Sequence, residues 1–315
     1  VLSSAAPGQT VCLADGTYPM LTFTGSGVTL AAVNPLAAHV AGINLNGQSN
    51  LTVMNLDVDG SLAGAFGWGI VSTGGANFTI TGNSVENFAA GGIAFDNSDH
   101  IVIQHNVVSN NAAQWSGSAS GISIYQNVAS DTAAGWHNVI SYNESFENCN
   151  PQGGTDGNGI IVDDFASTSY SYPTLVEENL TWGNCGAGIK DYNSANVTIR
   201  NNTNYWNHTQ TLNSYTWRGE IDLEYSSNVI VANNIDCPNS AYNSSNSALL
   251  NAGTGTVSAA NIDCSKTDPM LASPPSDLQL QSGSPASNKG TMAYGIPASN
   301  FAGTPITSTP DIGAY

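Results

Sequence analysis

Apolar residues recur along the chain in short alternating runs, each closed by an Asn- or Gly-rich turn. The unit is Gly-Ile, a few residues, then Asn-φ-Thr/Val-φ, where φ is aliphatic or aromatic. It appears as Gly42-Ile43 with Asn50-Leu51-Thr52-Val53, and as Gly69-Ile70 with Asn77-Phe78-Thr79-Ile80. It returns as Gly92-Ile93 with His100-Ile101-Val102-Ile103, and as Gly188-Ile189 with Asn196-Val197-Thr198-Ile199. Ile221 leads into Asn228-Val229-Ile230-Val231 at the same offset, while Gly121-Ile122 and Gly159-Ile160 open units with longer insertions. From Ile43 to Ile221 the steps are 27, 23, 29, 38, 29 and 32 residues. Period-two alternation at such a spacing predicts short strands stacked as a solenoid. No helical periodicity exists to cover a parallel sheet, which excludes an α/β fold. A β-propeller needs about 40 to 50 residues per repeat, too long for these steps. The expected fold is all-β, a right-handed parallel β-helix.

The repeat gives the boundaries of a single domain. Residues 1–40 are expected to hold an N-terminal cap and first coil, with Cys12 in the cap, and 41–267 the coils. Residues 268–315, rich in Pro and Ser, form an irregular tail with little core of its own, expected to lie along the outside of the solenoid.

Register follows from alternation. With the repeat Ile facing inward at position 0, positions +1 and +3 face outward. Position +1 then reads Ala94, Ser123, Ile161, Lys190, Asp222, and position +3 reads Asp96, Tyr125, Asp163, Tyr192, Glu224. Coils lie about 4.8 Å apart, so Asp163, Lys190, Tyr192, Asp222 and Glu224 should share one patch. Asp164, Asp191, Arg218 and Glu220 lie at the edges of the same strands. Insertions at 110–120, 130–136, 166–174 and 208–217 would wall a cleft, with Trp115 and Trp217 near the patch.

Composition sharpens this picture. The 315 residues hold 5 Lys+Arg against 23 Asp+Glu, a formal net charge of -18. Five cations cannot track a phosphate backbone, so a nucleic-acid partner is excluded. No apolar run is long enough to span a membrane. Lys190 is the only lysine before Lys266, and Arg200 and Arg218 are the only arginines, so cations beside an acidic patch are informative. The plain alternative is cross-strand neutralisation of Asp163 and Asp222 by Lys190. For Asp163-Asp164 it is a turn that ends the strand. The five histidines, His39, His100, His105, His137 and His208, show no ligand spacing, and His100 reads as a turn substitute for Asn.

Five cysteines, none in a Cys-x-x-Cys pair, together with eight Asn-x-Ser/Thr sequons and few lysines, point to a secreted, disulfide-bonded and glycosylated chain. Asn is equally at home in the turns of a repetitive β fold. Val1 opens directly into a polar segment, as a processed N-terminus would. Cys237 and Cys264 each end an Asn-Ile-Asp-Cys segment, and Cys149 and Cys185 end similar turns, so bridges 149–185 and 237–264 are expected with Cys12 free.

The N-terminal segment PGQTVCLADGTY (7–18), the Gly-Ile coils, GNGIIVDDF (157–165) and the closing DIGAY resemble secreted right-handed β-helix polysaccharide lyases, in particular the β-helix alginate lyases of the family 31 and family 6 kind. The resemblance implies β-elimination on a uronic acid-containing polysaccharide by a monomeric enzyme. That reaction needs a base at C5, a neutraliser for the adjacent carboxylate and an acid for the leaving oxygen. Lys190 is the candidate base and Arg218 the carboxylate clamp. Tyr125 or Tyr192 on the face, or Tyr172 in a loop beside it, is the candidate acid. Asp163, Asp164 and Asp191 are candidate Ca²⁺ ligands. Asp222 and Glu224, with Glu220, are a surplus of acid that would repel an anionic sugar. They also offer carboxyl pairs for a glycoside hydrolase, and a non-catalytic carbohydrate-binding solenoid is the third reading.

Overall fold

The computed structural model describes residues 2–62, 64, 67–113, 119–149, 156–209, 219–240 and 245–315. The described residues form a right-handed parallel β-helix with three sheets. The first, of ten strands, runs from Thr10–Leu13 to Val257–Ala259, and the second, also of ten, from Gly16–Tyr18 to Ile262–Asp263. The third has nine strands, from Leu21–Thr22 to Ser247–Thr254. Each coil gives one strand to each sheet in turn, as Leu51–Met54, Asp57–Asp59 and Ile70–Thr73 do. Full coils begin within the first forty residues, and Cys12 sits on a strand paired with Ala31. No described helix is long and apolar enough to cross a membrane.

The repeat sets the register directly. Ile43, Ile70, Ile93, Ile122, Ile160, Ile189 and Ile221 are consecutive rungs of the third sheet. All seven are fully buried and form one aliphatic column. A glycine precedes every one of these Ile residues except Ile221, and it answers a close approach. A Cβ on Gly92 would stand 2.8 Å from the carbonyl oxygen of Gly121, and one on Gly159 2.7 Å from that of Gly188. In five coils the residue that opens the first-sheet strand is left-handed. Asn50, Asn77, His100, Asn196 and Asn228 occupy this position with φ of 57°, 63°, 49°, 60° and 55°. Asn tolerates that conformation better than other L-residues.

Two buried asparagine ladders run along the helix axis. In one, Asn83, Asn106, Asn143, Asn179, Asn202, Asn234 and Asn261 each pass an amide bond to the next, with Nδ2 to Oδ1 distances of 2.9–3.0 Å. The backbone N–H donates to the same oxygen, as from Asn143 to Asn179 at 3.0 Å. The second ladder is Asn111, Asn148, Asn184 and Asn207. Three sequon asparagines, Asn143, Asn179 and Asn207, are thus buried with Nδ2 committed. At these sites the turn-and-strand role of Asn accounts for the sequence. Exposure at Asn50 and Asn77 contrasts with them.

Glu220 ends the second ladder. It precedes Ile221 as Gly188 precedes Ile189, and its carboxyl accepts from Asn207 Nδ2 at 2.7 Å. The inward column of the second sheet also turns polar, from Val58, Val85 and Val108 to Ser145, Thr181, Asn204 and Asp236. Thr181 donates to Asn204, and Asn204 to Asp236, at 2.6 and 2.7 Å. The Cys149–Cys185 and Cys237–Cys264 bridges join adjacent coils, with Cys12 free.

The tail lies against the outer side of the second sheet. Leu271, Leu278, Ala286, Ile312 and Ala314 pack with Leu180, Ile235, Cys237 and Ile262 in a second apolar cluster. Arg200 anchors it, paired with Glu177 at 2.7 Å and donating to the carbonyl of Tyr294 at 2.5 Å. Glu178, fully buried, is pushed up to about 10 by burial and by Glu177.

Burial pushes Glu220 and Asp236 each up to about 8. An acid whose folded pKa is raised favours the folded form while protonated, and that advantage fades as pH climbs from about 4 through 8. Glu220→Gln keeps a ladder acceptor but cannot ionise. It should therefore lose less melting temperature between pH 6 and pH 9 than the parent. Equal losses in a paired thermal scan would contradict a buried, protonated Glu220.

Candidate active site on the third sheet

The outward ladders of the third sheet carry the charge. Ser123, Ile161, Lys190 and Asp222 form one, and Tyr125, Asp163, Tyr192 and Glu224 the other. Strand alternation therefore brings Asp163, Lys190, Tyr192, Asp222 and Glu224 together on three successive coils. Lys190 is 8% exposed, and its Nζ lies 2.9 Å from Glu224 Oε2 and 4.0 Å from Asp222 Oδ2. The same ammonium stands 5.5 Å from the centroid of the Tyr192 ring. Burial works against the charge, but Asp222 and Glu224 outweigh it, and the Lys190 pKa is raised.

Opposite tendencies act on the acids. Burial pushes Asp163 up to about 8, helped by Asp156 and Asp164, while Lys190 pulls the other way. Asp222 rises less, to about 6, because Lys190 offsets part of its burial. Tyr125 and Tyr192 are both raised, by burial first and then by surrounding carboxylates. At neutral pH the face thus offers a protonated carboxyl at Asp163, two protonated phenols and an ammonium locked between acids. These groups can bind a hydroxyl-rich chain and move protons at its glycosidic oxygens.

Some expected members fall elsewhere. Asp191 lies one residue after Lys190 and so points inward, between Val162 and Leu223 on the neighbouring rungs. It is fully buried and its carboxylate oxygens have no hydrogen-bond partner among the described residues, since the Ser226 hydroxyl donates to its backbone carbonyl at 2.7 Å. Burial pushes its pKa up to about 7. It cannot share an ion with Asp163 on the outer face. Tyr172 leaves the face as well: its ring stacks on His137 at 4.1 Å, beside the first sheet. Arg218, Trp115 and Trp217 lie outside the described residues.

Asp164 takes the turn role. It has φ of 55°, and its carboxylate accepts from Gln126 Nε2 at 2.7 Å and Asn193 Nδ2 at 2.5 Å. Burial would raise its pKa, but the donated hydrogen bonds lower it overall. Gln126, Asp164 and Asn193 are the same turn position on successive coils, each left-handed. Asp163 and Asp156 both lie within electrostatic reach of Lys190. Asp156 was missed in sequence because it stands in an insertion, before GNGI, with no repeat to place it. Tyr225 was missed too; it is 64% exposed and packs edge-on against Tyr192 at 5.9 Å.

Two of the five histidines meet in space. His100 and His137 stack at 4.0 Å, and with Asp99 and Asp131 they form the one group of metal-ligating side chains found among the described residues.

Comparisons agree with this architecture. Among solved structures the chain is similar to the A-module of mannuronan C-5 epimerase AlgE6 of Azotobacter vinelandii, with a TM-score of 0.58 and 17% identity. That likeness covers 80% of this chain and 66% of the module, so the chain spans just under two thirds of its length. It is also similar to pectate lyase Pel9A, with a TM-score of 0.56 and 17% identity, over 100% of this chain and 89% of the other. No curated protein matches by sequence. The family model described as a right handed beta helix region matches residues 21–203, more than half of the chain. With the coils, ladders and register all in place, the chain belongs to the right-handed β-helix family.

Proposed function

We propose that the chain is a secreted polysaccharide lyase that cleaves a uronic acid-containing, alginate-like polymer by β-elimination on the outer face of the third sheet. One observation carries this reading: Lys190, the one cation on that face among the described residues, pairs with Glu224 beside the Asp163–Tyr192–Glu224 ladder, with the Tyr192 ring next to its ammonium. The two solved neighbours are named for mannuronan and pectate, both uronate polymers. Two inter-coil disulfides suit an oxidising, extracellular setting.

In this reading Lys190 takes the proton from C5, the C4–O bond breaks and a C4=C5 double bond forms. Tyr192 or Tyr125, holding its proton at neutral pH, passes it to the leaving oxygen. Arg218 is proposed to clamp the substrate carboxylate. The raised Lys190 pKa demands that its acids be offset or that the enzyme work at alkaline pH. Asp163 and Asp156 have the hard oxygens to hold Ca²⁺, which would supply positive charge against the carboxylates of protein and substrate.

Hydrolysis is favoured by a different observation. Asp163 is pushed up to about 8 and Asp222 only to about 6. Asp163 and Glu224 stand two rungs apart, about 9.6 Å along the sheet, at the upper limit of the spacing for an inverting acid and base and too far for a retaining pair.

A panel of acidic and neutral polysaccharides, read by near-ultraviolet absorbance and by reducing ends, separates the two. Elimination predicts both signals on a uronate polymer, a rate rising toward alkaline pH, and a loss of about 10²-fold or more in Lys190→Leu. Reducing ends without absorbance, abolished in Asp163→Asn or Glu224→Gln but not in Lys190→Leu, would make it a hydrolase.

A further inference from the structure

The loop at 126–137 leaves the third sheet directly after Tyr125 and returns to the first sheet at Asn138. It is pinned to the preceding coil by an unusual concentration of ligating groups. The His100 Nε2 lies 3.1 Å from Asp131 Oδ1 and 3.7 Å from Asp99 Oδ2, and the His137 Nε2 lies 3.9 Å from the same Asp131 oxygen. One ligand atom from each of Asp99, His100, Asp131 and His137 falls within 4.8 Å of every other. Donors around a tetrahedral zinc ion lie about 3.4 Å apart, from bonds of about 2.0–2.1 Å.

An outer shell is already built. Asp99, fully buried, receives the Nδ1 of His137 at 3.0 Å, the Tyr170 hydroxyl at 2.6 Å, and the N–H and hydroxyl of Ser130 at 2.7 and 2.9 Å. These bonds saturate its oxygens, so it acts as an orienting partner and leaves ligation to others. It holds the His137 Nδ1 against its carboxylate and so leaves Nε2 facing the loop, the carboxylate–histidine arrangement that serves metal ligands. Tyr172 backs the His137 ring at 4.1 Å. Asp131 is exposed and the His100 side chain is 21% exposed, so the ligand side is open to solvent.

We propose that His100 Nε2, His137 Nε2 and an Asp131 oxygen form a site for a borderline divalent transition metal of the zinc type, with water in the fourth position. Two imidazoles and a carboxylate select such an ion over Ca²⁺ or Mg²⁺, which prefer all-oxygen shells. His137 Nε2 contacts the carbonyl oxygen of Ala133 at 3.0 Å, and the two rings stack with 26° between their planes. Binding exchanges that carbonyl for the ion and spreads the rings. The ion would then staple the 126–137 loop to the coil, fixing one wall beside Tyr125.

The test is Co²⁺ and Zn²⁺ titration of the full chain after chelation. Binding predicts one equivalent of Co²⁺ with visible d–d absorption, displaced by Zn²⁺, and a melting temperature raised by several degrees. His100→Asn, which places at this turn the residue found at Asn50 and Asn77, and Asp131→Asn should each weaken Co²⁺ at least about 10-fold. Asp99→Asn should weaken it about 10–100-fold through the outer shell. Asp163→Asn should leave the Co²⁺ spectrum unchanged. Absence of a saturable spectrum, a spectrum indifferent to His100→Asn and Asp131→Asn, or one lost in Asp163→Asn would overturn the proposal. The cluster would then be an ion-pair network, or the ion would belong to the acidic face.

Discussion

Everything in this molecule depends on in-register parallel stacking at about 4.8 Å per coil. Each residue stands over its equivalent in the coil below, so side-chain chemistry is amplified into columns. An aliphatic position becomes a continuous core, as the Ile43-to-Ile221 column does. A buried amide becomes a ladder in which each Asn satisfies its neighbour, because donor and acceptor repeat at the spacing a hydrogen bond needs. A charge becomes a rung that must meet its neighbours at close range, and this makes the third sheet's outer face chemically distinctive.

The same stacking explains why so many acids here hold protons. A carboxyl inside a column has neither water nor, in a chain with five cations, a ready counter-charge. Glu220 and Asp236 solve this by ending amide columns, where a protonated acid fits as well as an amide. Asp163 has no such column. It feels Asp156 and Lys190 with opposite sign, so its charge state responds to whatever ligand or cation covers the face. Lys190 is the converse case, an ammonium made permanent by Glu224 and Asp222 until something displaces them.

Much of this was legible in the sequence because the repeat fixes register and alternation fixes the side. The order Tyr125, Asp163, Tyr192, Glu224 along one ladder, and Lys190 beside Asp222, followed from the Ile spacing alone. Asp191 is legible by the same rule, since position +2 faces inward, although the sequence reading sets it at the strand edge. Residues in insertions have no rung to place them. Tyr172 went to the His137 stack and Asp156 to the acidic face for reasons visible only in space. The His–Asp cluster was hidden by the 126–137 insertion, which puts His100 and His137 far apart in sequence and on adjacent coils in the fold.

The central claim is that a polysaccharide is cleaved on the outer face of the third sheet. A crystal structure of the Lys190→Leu protein with an oligouronate bound tests it most directly. The prediction is a sugar chain lying across that face, with one ring's C5 toward position 190 and its leaving oxygen toward Tyr192 or Tyr125. An oligosaccharide seated instead on the second sheet's aromatic column of Phe146, Trp182 and Tyr205, with the third sheet bare at saturating ligand, would contradict it.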